Sequence, residues 1–148
     1  MKQFVLVLFF IFSVQSYSQE LQTYSFEQVE QLVEKEPRPI LLYFHADWCQ
    51  YCKRLQKTTF KDKKVIEKLN SNYYVISFDG GLKEQVTHKG VTYKFVPTGM
   101  KSGYHELVHH YIKKRQEIYP TLIFLDDNFK ELLFIQSYIS AKSLLEIL

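Results

Sequence analysis

Apolar positions along the chain recur in two periods, one helical and one of continuous short runs. Ser25-Phe26-Glu27-Gln28 has the form of a capping box, and Phe26, Val29, Leu32 and Val33 follow at helical spacing. The spacing predicts a helix over residues 26–35, ended before Pro37 because the residue ahead of a proline disfavours the α region. Ile40–Phe44 is an unbroken apolar run of strand length, as in strands buried on both faces. Helical spacing resumes at Cys52, Leu55 and Gln56, pauses near Phe60, and returns with Val65, Ile66 and Leu69. Tyr73–Phe78 reads as a second buried strand.

The pattern is less regular from Asp79 to Tyr119. Gly80-Gly81 is a turn, and Lys89-Gly90 joins a short hairpin whose second arm is Val91–Val96. Pro97, Gly99 and Gly103 break the chain, and Tyr104–Lys114 reads as an amphipathic helix. Pro120 introduces Thr121–Leu125, a third buried strand. Asp126-Asp127-Asn128 is turn chemistry, and Lys130–Gln136 is a fourth strand, antiparallel by its short connection. Ser140 caps a last helix, Ala141–Leu148. Strands alternating with helices and finishing in a hairpin and a helix predict an α/β fold, a mixed central sheet flanked by helices.

Residues 1–18 carry a different signal. Lys2 is followed by the apolar run Phe4–Phe12, with small Ser16 and Ser18 at the spacing of a cleavage site. The expectation is a signal peptide over 1–18 and one domain over 19–148, periplasmic or otherwise exported. The apolar run is shorter than the ~20 residues a helical span needs, so no stable membrane span is expected after cleavage. No cysteine follows it to take a lipid. The net charge of +3 falls by one with Lys2, and the lysines are dispersed. That balance argues against nucleic acid as a partner.

Export changes the meaning of the cysteines. There are two, Cys49 and Cys52, in one tetrapeptide. A stapling framework is out of reach with that count, and a ring closed over so short a loop does little for stability, so the pair points to chemistry. A C-x-x-C is also half of a zinc site, but no second pair exists and the histidines lie far along the chain, so no metal is expected here. The pair falls between a buried strand and a helix. A cysteine at a helix N-terminus has its thiolate stabilised by unpaired N–H groups and the helix dipole. Cys49 is then the nucleophile and Cys52, one turn on, the thiol that resolves a mixed disulfide. Lys53 either adds positive charge nearby or is a solvated surface residue.

Tyr43-Phe44-His45-Ala46-Asp47-Trp48-Cys49-Gln50-Tyr51-Cys52-Lys53 resembles the active-site strand and loop of the thioredoxin family. Thr58-Thr59-Phe60-Lys61-Asp62 is similar to the thioredoxin-like domains of periplasmic disulfide reductases, and Ile118-Tyr119-Pro120-Thr121-Leu122 to the family's cis-proline loop. The resemblance covers roughly Leu21 to Leu148. It implies a thioredoxin fold, thiol–disulfide exchange with protein thiols and disulfides, and no cofactor beyond the Cys49–Cys52 disulfide. It also implies that Pro120 is cis, and that Trp48, Tyr119 and Pro120 contact substrate, the Tyr119 backbone pairing with an extended strand. Gln50-Tyr51 lacks the histidine that strongly oxidising relatives place before the second cysteine. This implies a reductase or isomerase recharged by a membrane electron donor.

Two departures from the family stand out. Tyr43 occupies the place, six before the first cysteine, where thioredoxins usually carry a buried acid, which leaves Asp47, water or the Cys49 thiolate as proton acceptor for Cys52. The stretch between Asp79 and Pro120 is also long, with an insertion at about 82–111 that either selects a substrate or partner or packs on the domain. Its aromatics Tyr93, Phe95, Tyr104 and Tyr111 carry the same two readings. Within it His105-Glu106-Leu107-Val108-His109 matches H-E-x-x-H, a zinc-peptidase signature. Ile112 and Arg115 stand where the extended signature needs Gly and His, and the fold leaves no room for a peptidase domain. The expectation there is a helix with exposed histidines. His45 is expected to be a strand-end residue. A thioredoxin-fold binding module with an incidental dithiol is the competing class.

Overall fold

The computed structural model describes residues 19–148, so the leader expected over residues 1–18 lies outside the described residues. Helix α1 (Phe26–Lys35) leads into strand β1 (Ile40–His45). Helix α2 (Gln50–Lys57), a 3-10 turn (Thr59–Lys61) and helix α3 (Lys63–Asn72) lead to β2 (Tyr74–Asp79). Two hairpins follow, β3 (Val86–His88) with β4 (Val91–Tyr93), and β5 (Phe95–Pro97) with β6 (Gly103–His105). Helix α4 (Glu106–Ile112), strands β7 (Thr121–Leu125) and β8 (Glu131–Ile135), and helix α5 (Ala141–Ile147) complete the described chain.

The central sheet has the order β2-β1-β7-β8. Strand β1 is parallel to β2 and antiparallel to β7, and β8 returns antiparallel to β7. This is the mixed sheet the alternating pattern predicts. Strand β1 is an unbroken apolar run because both of its faces are covered. Ile40, Leu42 and Phe44 pack with Phe26 and Val29 of α1 and with Leu107, Val108, Tyr111 and Ile112 of α4. Leu41 and Tyr43 face the other way, against Cys52, Leu55, Val65, Leu69 and Leu144. Full burial of each such side chain contributes roughly 1.5–3 kcal/mol.

Local chemistry sets the helix ends. The Ser25 hydroxyl accepts the Gln28 N–H at 3.1 Å and the Gln28 side chain accepts the Ser25 N–H at 2.8 Å, completing the capping box. Asp62 caps α3 by accepting from both Lys64 and Val65. The pause near Phe60 is the 3-10 turn, held by buried Thr59, whose hydroxyl donates to the Ile139 carbonyl at 2.7 Å.

The region from 82 to 111 differs from its sequence pattern. The helix expected over 104–114 begins at Glu106, because Gly103–His105 instead pairs with Phe95–Pro97. The expected arm Val91–Val96 divides at Lys94. The Lys94 N–H donates to the Glu106 carboxylate and its carbonyl accepts the Glu106 N–H, fastening the chain between the two hairpins. Lys89 and Gly90 both have positive φ, which gives the first hairpin its two-residue turn.

Candidate functional site

Strand β1 ends at His45, and Ala46–Cys49 turns tightly, the Cys49 N–H donating to the Ala46 carbonyl at 3.0 Å. The turn delivers Cys49 to the N-cap of α2. Its sulfur accepts the Cys52 N–H at 3.1 Å, one of the donors a helix start leaves unpaired. Residues three apart share a helix face, so Cys52 lies against Cys49, and the two form a disulfide across a Cα separation of 5.2 Å. Both are buried, at 4% and 1% exposure, within the apolar cluster on that side of the sheet. Helix polarity and a directed N–H favour a thiolate at Cys49 over one at Cys52.

Tyr43 lies beneath the pair. Its hydroxyl donates to the Cys52 carbonyl at 3.4 Å, and burial raises its pKa far enough that it stays a neutral phenol. Where the family usually places a carboxylate, the chain presents a hydroxyl. His45 stacks on Tyr43 with ring centroids 5.1 Å apart, and burial lowers its pKa against the opposing pull of Asp79 and Asp47. It is the terminal residue of β1.

The Tyr119–Pro120 peptide bond is cis. Thr121 holds the approach to it by donating to the Ile118 carbonyl at 2.5 Å. The Tyr119 ring lies edge-on to Trp48, centroids 5.8 Å apart, and its hydroxyl donates to Glu117 at 2.5 Å. A Cβ at Gly80 would collide with that hydroxyl, so the glycine admits the ring. Burial, and then the Glu117 contact, hold the Tyr119 phenol protonated. Trp48, Tyr51 and Ile118 are exposed at 73%, 61% and 44%, on segments that flank or carry the dithiol. Asp47 and Lys53 are exposed beside it.

The H-E-x-x-H stretch is not arranged as a ligand pair. His105 is the N-cap of α4 and is fully buried, which corrects the expectation for that histidine, while His109 and His110 are exposed as expected. Its Nδ1 accepts the Leu107 N–H and its Nε2 donates to the Glu84 carbonyl, so both ring nitrogens are committed. His109 stacks on Tyr104 at 3.9 Å and contacts Glu117 at 2.8 Å. Of the insertion aromatics, Tyr111 is buried in the core, while Tyr93, Phe95 and Tyr104 are half-buried.

Sequence reasoning missed two features. One is a chain from half-buried Glu30 through buried His88 to buried Tyr111, with contacts of 2.5 and 2.7 Å. The other is a cleft of about 400 Å³ between Asp47–Trp48 and the β5–β6 hairpin. Phe95 was the one signal for the cleft, as an aromatic in an unassigned insertion.

A thioredoxin fold with a Cys-x-x-Cys at a helix N-cap and a cis-proline loop defines the class. The chain belongs to the thioredoxin-like domain family, whose pattern matches residues 26–148. It is 42% identical over 55 residues to the thiol:disulfide interchange protein DsbD of Campylobacter jejuni, a match covering 37% of this chain and 10% of that protein. A protein disulfide-isomerase of Schizosaccharomyces pombe is 34% identical over 84 residues, covering 53% of this chain and 22% of its own. The chain thus spans about a tenth of the length of the DsbD relative and about a fifth of the isomerase. Among solved structures, the DsbH oxidoreductase superposes with a TM-score of 0.62 at 17% identity, covering 86% of this chain and 82% of that one. A thioredoxin from Thermus thermophilus gives 0.61 at 21% identity, covering 86% and 84%. These superpositions show the fold.

Proposed function

We propose that the chain is an exported thiol–disulfide oxidoreductase that reduces or isomerises disulfides of proteins through Cys49 and Cys52. The observation that carries the reading is Cys49 at the N-cap of α2, its sulfur accepting the Cys52 N–H and joined to the Cys52 sulfur. In the reduced protein the Cys49 thiolate attacks a substrate disulfide. A Cys49–substrate disulfide forms and one substrate sulfur leaves as a thiolate, which takes a proton from water. Cys52 then loses its proton and attacks the Cys49 sulfur. The Cys49–Cys52 disulfide closes and the second substrate thiol leaves, two electrons having passed to the substrate.

Trp48, Tyr119 and Pro120 form the substrate-facing surface in this reading, with the Tyr119 backbone offered to an extended chain. The Tyr43 phenol stays protonated, so it positions the Cys52 segment and does not accept the proton. Asp47, water and the Cys49 thiolate remain as acceptors, and Lys53 contributes only positive charge. No cofactor enters the cycle beyond the disulfide. Tyr51 before Cys52 supplies no imidazolium to stabilise the reduced form, which favours a reducing potential and recharging by a membrane electron donor. The leader-like residues 1–18 and the DsbD-like segment support a periplasmic setting and a part in redox homeostasis. Among the described residues no helix is long and apolar enough to cross a membrane.

The test is reduction of insulin disulfides. Cys49→Ser is expected to abolish turnover, and Cys52→Ser to accumulate a mixed disulfide visible on a non-reducing gel. Full activity in Cys49→Ser would overturn the reading. A potential near −120 mV, that of a strong oxidant, would overturn the assigned direction. A dithiol that never cycles in a redox titration would favour the binding module.

A further inference from the structure

The cleft beside the dithiol has two walls of different origin. Asp47, Trp48 and Asp79 line it from the core, and Lys83, Phe95 and Lys101 from the segment between β2 and α4. Trp48 directly precedes Cys49, so a polypeptide whose disulfide reaches Cys49 has this cleft alongside it.

The outer wall is built to hold its shape. In the β5–β6 hairpin, Pro97 pairs with Gly103. A Cβ on Gly103 would collide with the Phe95 ring, so the glycine lets that ring fold across its own hairpin. The Lys83 ammonium lies 3.1 Å from the centre of the ring. This fixes a cation on the wall at lower ordering cost than a free lysine would carry. Thr98 and Ser102 close the hairpin tip through a backbone bond of 3.0 Å and a hydroxyl bond of 3.2 Å, carrying Lys101 with them.

The charges on the two walls are not paired off. Among the described residues neither Lys83 nor Lys101 lies within ion-pair distance of a carboxylate. The Asp79 carboxylate is half-buried and accepts the Gly81 N–H at 2.8 Å. Asp47 stays exposed on the wall nearer the dithiol. The cleft is therefore polar across its width, cationic on the outer wall and anionic on the core wall.

We infer that this cleft selects disulfide substrates whose flanking polypeptide is acidic, its carboxylates directed onto Lys83 and Lys101 and its apolar groups onto Trp48 and Phe95. The inference rests on the dithiol reading and adds to it the substrate class. Asp47 sets the polarity by turning an acidic flank away from the core wall and onto the hairpin. The contacts an acidic flank makes with Lys83 and Lys101 are open to solvent, so salt screens them.

Two synthetic peptides test this. Each is closed by one internal disulfide, and they differ only in a flank of three Glu or three Gln. Pre-reduced full-length protein is mixed with each under single-turnover conditions, and the second-order rate of peptide reduction is read. A partly exposed ion pair changes a rate by a factor of up to about five, so two lysines give an expected preference of about tenfold for the Glu peptide. The preference should fall severalfold between 20 mM and 500 mM salt. In the Lys83→Glu/Lys101→Glu double variant the ratio of the two rates, measured within one protein, should fall below one. Equal rates in the unaltered protein, or a preference that survives the double reversal, would overturn the inference and leave the dithiol reading standing. Failure of the unaltered protein to reduce either peptide, or a small uncharged disulfide, would overturn both.

Discussion

Both faces of the central sheet carry a cluster of buried apolar side chains, yet they dispose of their polar groups in different ways. On the α2–α3–α5 face the buried polar chemistry is the dithiol, with Tyr43 beneath it and Thr59 tied to Ile139. The reactive sulfurs there are nine-tenths or more buried, while Trp48 and Tyr51 beside them are exposed. On the α1–α4 face the buried histidines turn their ring nitrogens inward, His105 to the Glu84 carbonyl and the Leu107 N–H, and His88 to half-buried Glu30 and to Tyr111. His88 contacts Glu30 through Nδ1 and Tyr111 through Nε2, at 2.5 and 2.7 Å, and Phe26 and Phe129 rings lie against it at 4.8 Å. One face keeps its reactivity beside solvent, and the other turns its polar groups inward to hold the β3–β4 hairpin. The sheet separates chemistry from attachment.

That separation can be broken first from the reactive side. Leu55 of α2 is fully buried beneath the dithiol helix. Leu55→Ala leaves a cavity there and is expected to cost roughly 2–5 kcal/mol. Denaturant unfolding measures the loss. Because α2 carries both cysteines, the rate of insulin reduction should fall in the same variant. A stability loss with unchanged activity would show that α2 is held by something other than this core.

From the attachment side the effect is smaller and local. His88→Leu keeps the volume but leaves the Tyr111 hydroxyl buried without its partner, at a cost of about 1–3 kcal/mol. Hydrogen exchange should accelerate in β3, β4 and α4. Insulin reduction at temperatures well below unfolding should be retained, because the dithiol lies across the sheet. If Tyr111→Phe is added, removing the stranded hydroxyl, part of the loss should return. A variant that loses the redox activity in proportion to the stability would mean the two faces are not separable.

Tyr43, on the dithiol face, sharpens the comparison further. Tyr43→Phe removes a hydroxyl whose bond to the Cys52 carbonyl, at 3.4 Å, is long. The expected stability change is under about 1 kcal/mol. Since the phenol is held neutral, the pH at which Cys52→Ser forms a mixed disulfide should be unchanged in the double variant. Because Cys52→Ser has no second thiol to deprotonate, that profile reads Cys49, and a displaced profile would mean that Tyr43 helps to set the Cys49 thiolate.

The parts legible in the sequence are those fixed by short-range pattern. Ser25 and Gln28 announce α1, and Ile40–Phe44 and Thr121–Leu125 announce strands covered on both sides, because an unbroken apolar run has few other uses. The Cys49–Cys52 placement followed from two adjacent elements. The first hairpin was legible in its Lys89-Gly90 turn. The second was not, since Tyr104 and His105 have a helical period with the residues after them, and only pairing with Phe95 and Val96 makes them a strand. His105 was expected to be exposed, and no sequence signal singled out His88. Their burial depends on partners 21 and 58 residues away, and no local pattern encodes such a contact. The cleft was illegible for the same reason, because Lys83 and Phe95 meet only after Gly103 has let the ring fold over.

The finest distinction between the two faces is their response to acid. Burial lowers the His88 pKa and outweighs the pull of the Glu30 carboxylate, while Lys89 and His110, which face the same ring, push in the same direction as burial. His110 is itself lowered by burial and by Lys113 and Lys89. The unfolded chain therefore takes up these protons at a higher pH than the folded one. Stability from this source is complete above the unfolded value of about 6.5 and is lost as the pH falls from there through the lower folded values. Across pH 7.5 to 5, hydrogen exchange corrected for its intrinsic rate should rise in β3 and β4. The β1–β7 ladder between Ile40 and Phe44, ahead of the half-buried His45 that ends β1, should keep its protection. Substituting His88→Gln replaces the titrating ring with an amide that stays neutral, and should flatten the response of the first hairpin. If the hairpin loosens equally in that variant, the acid sensitivity belongs to His110, and Tyr93, which bonds to it at 3.2 Å, is the next side chain to alter.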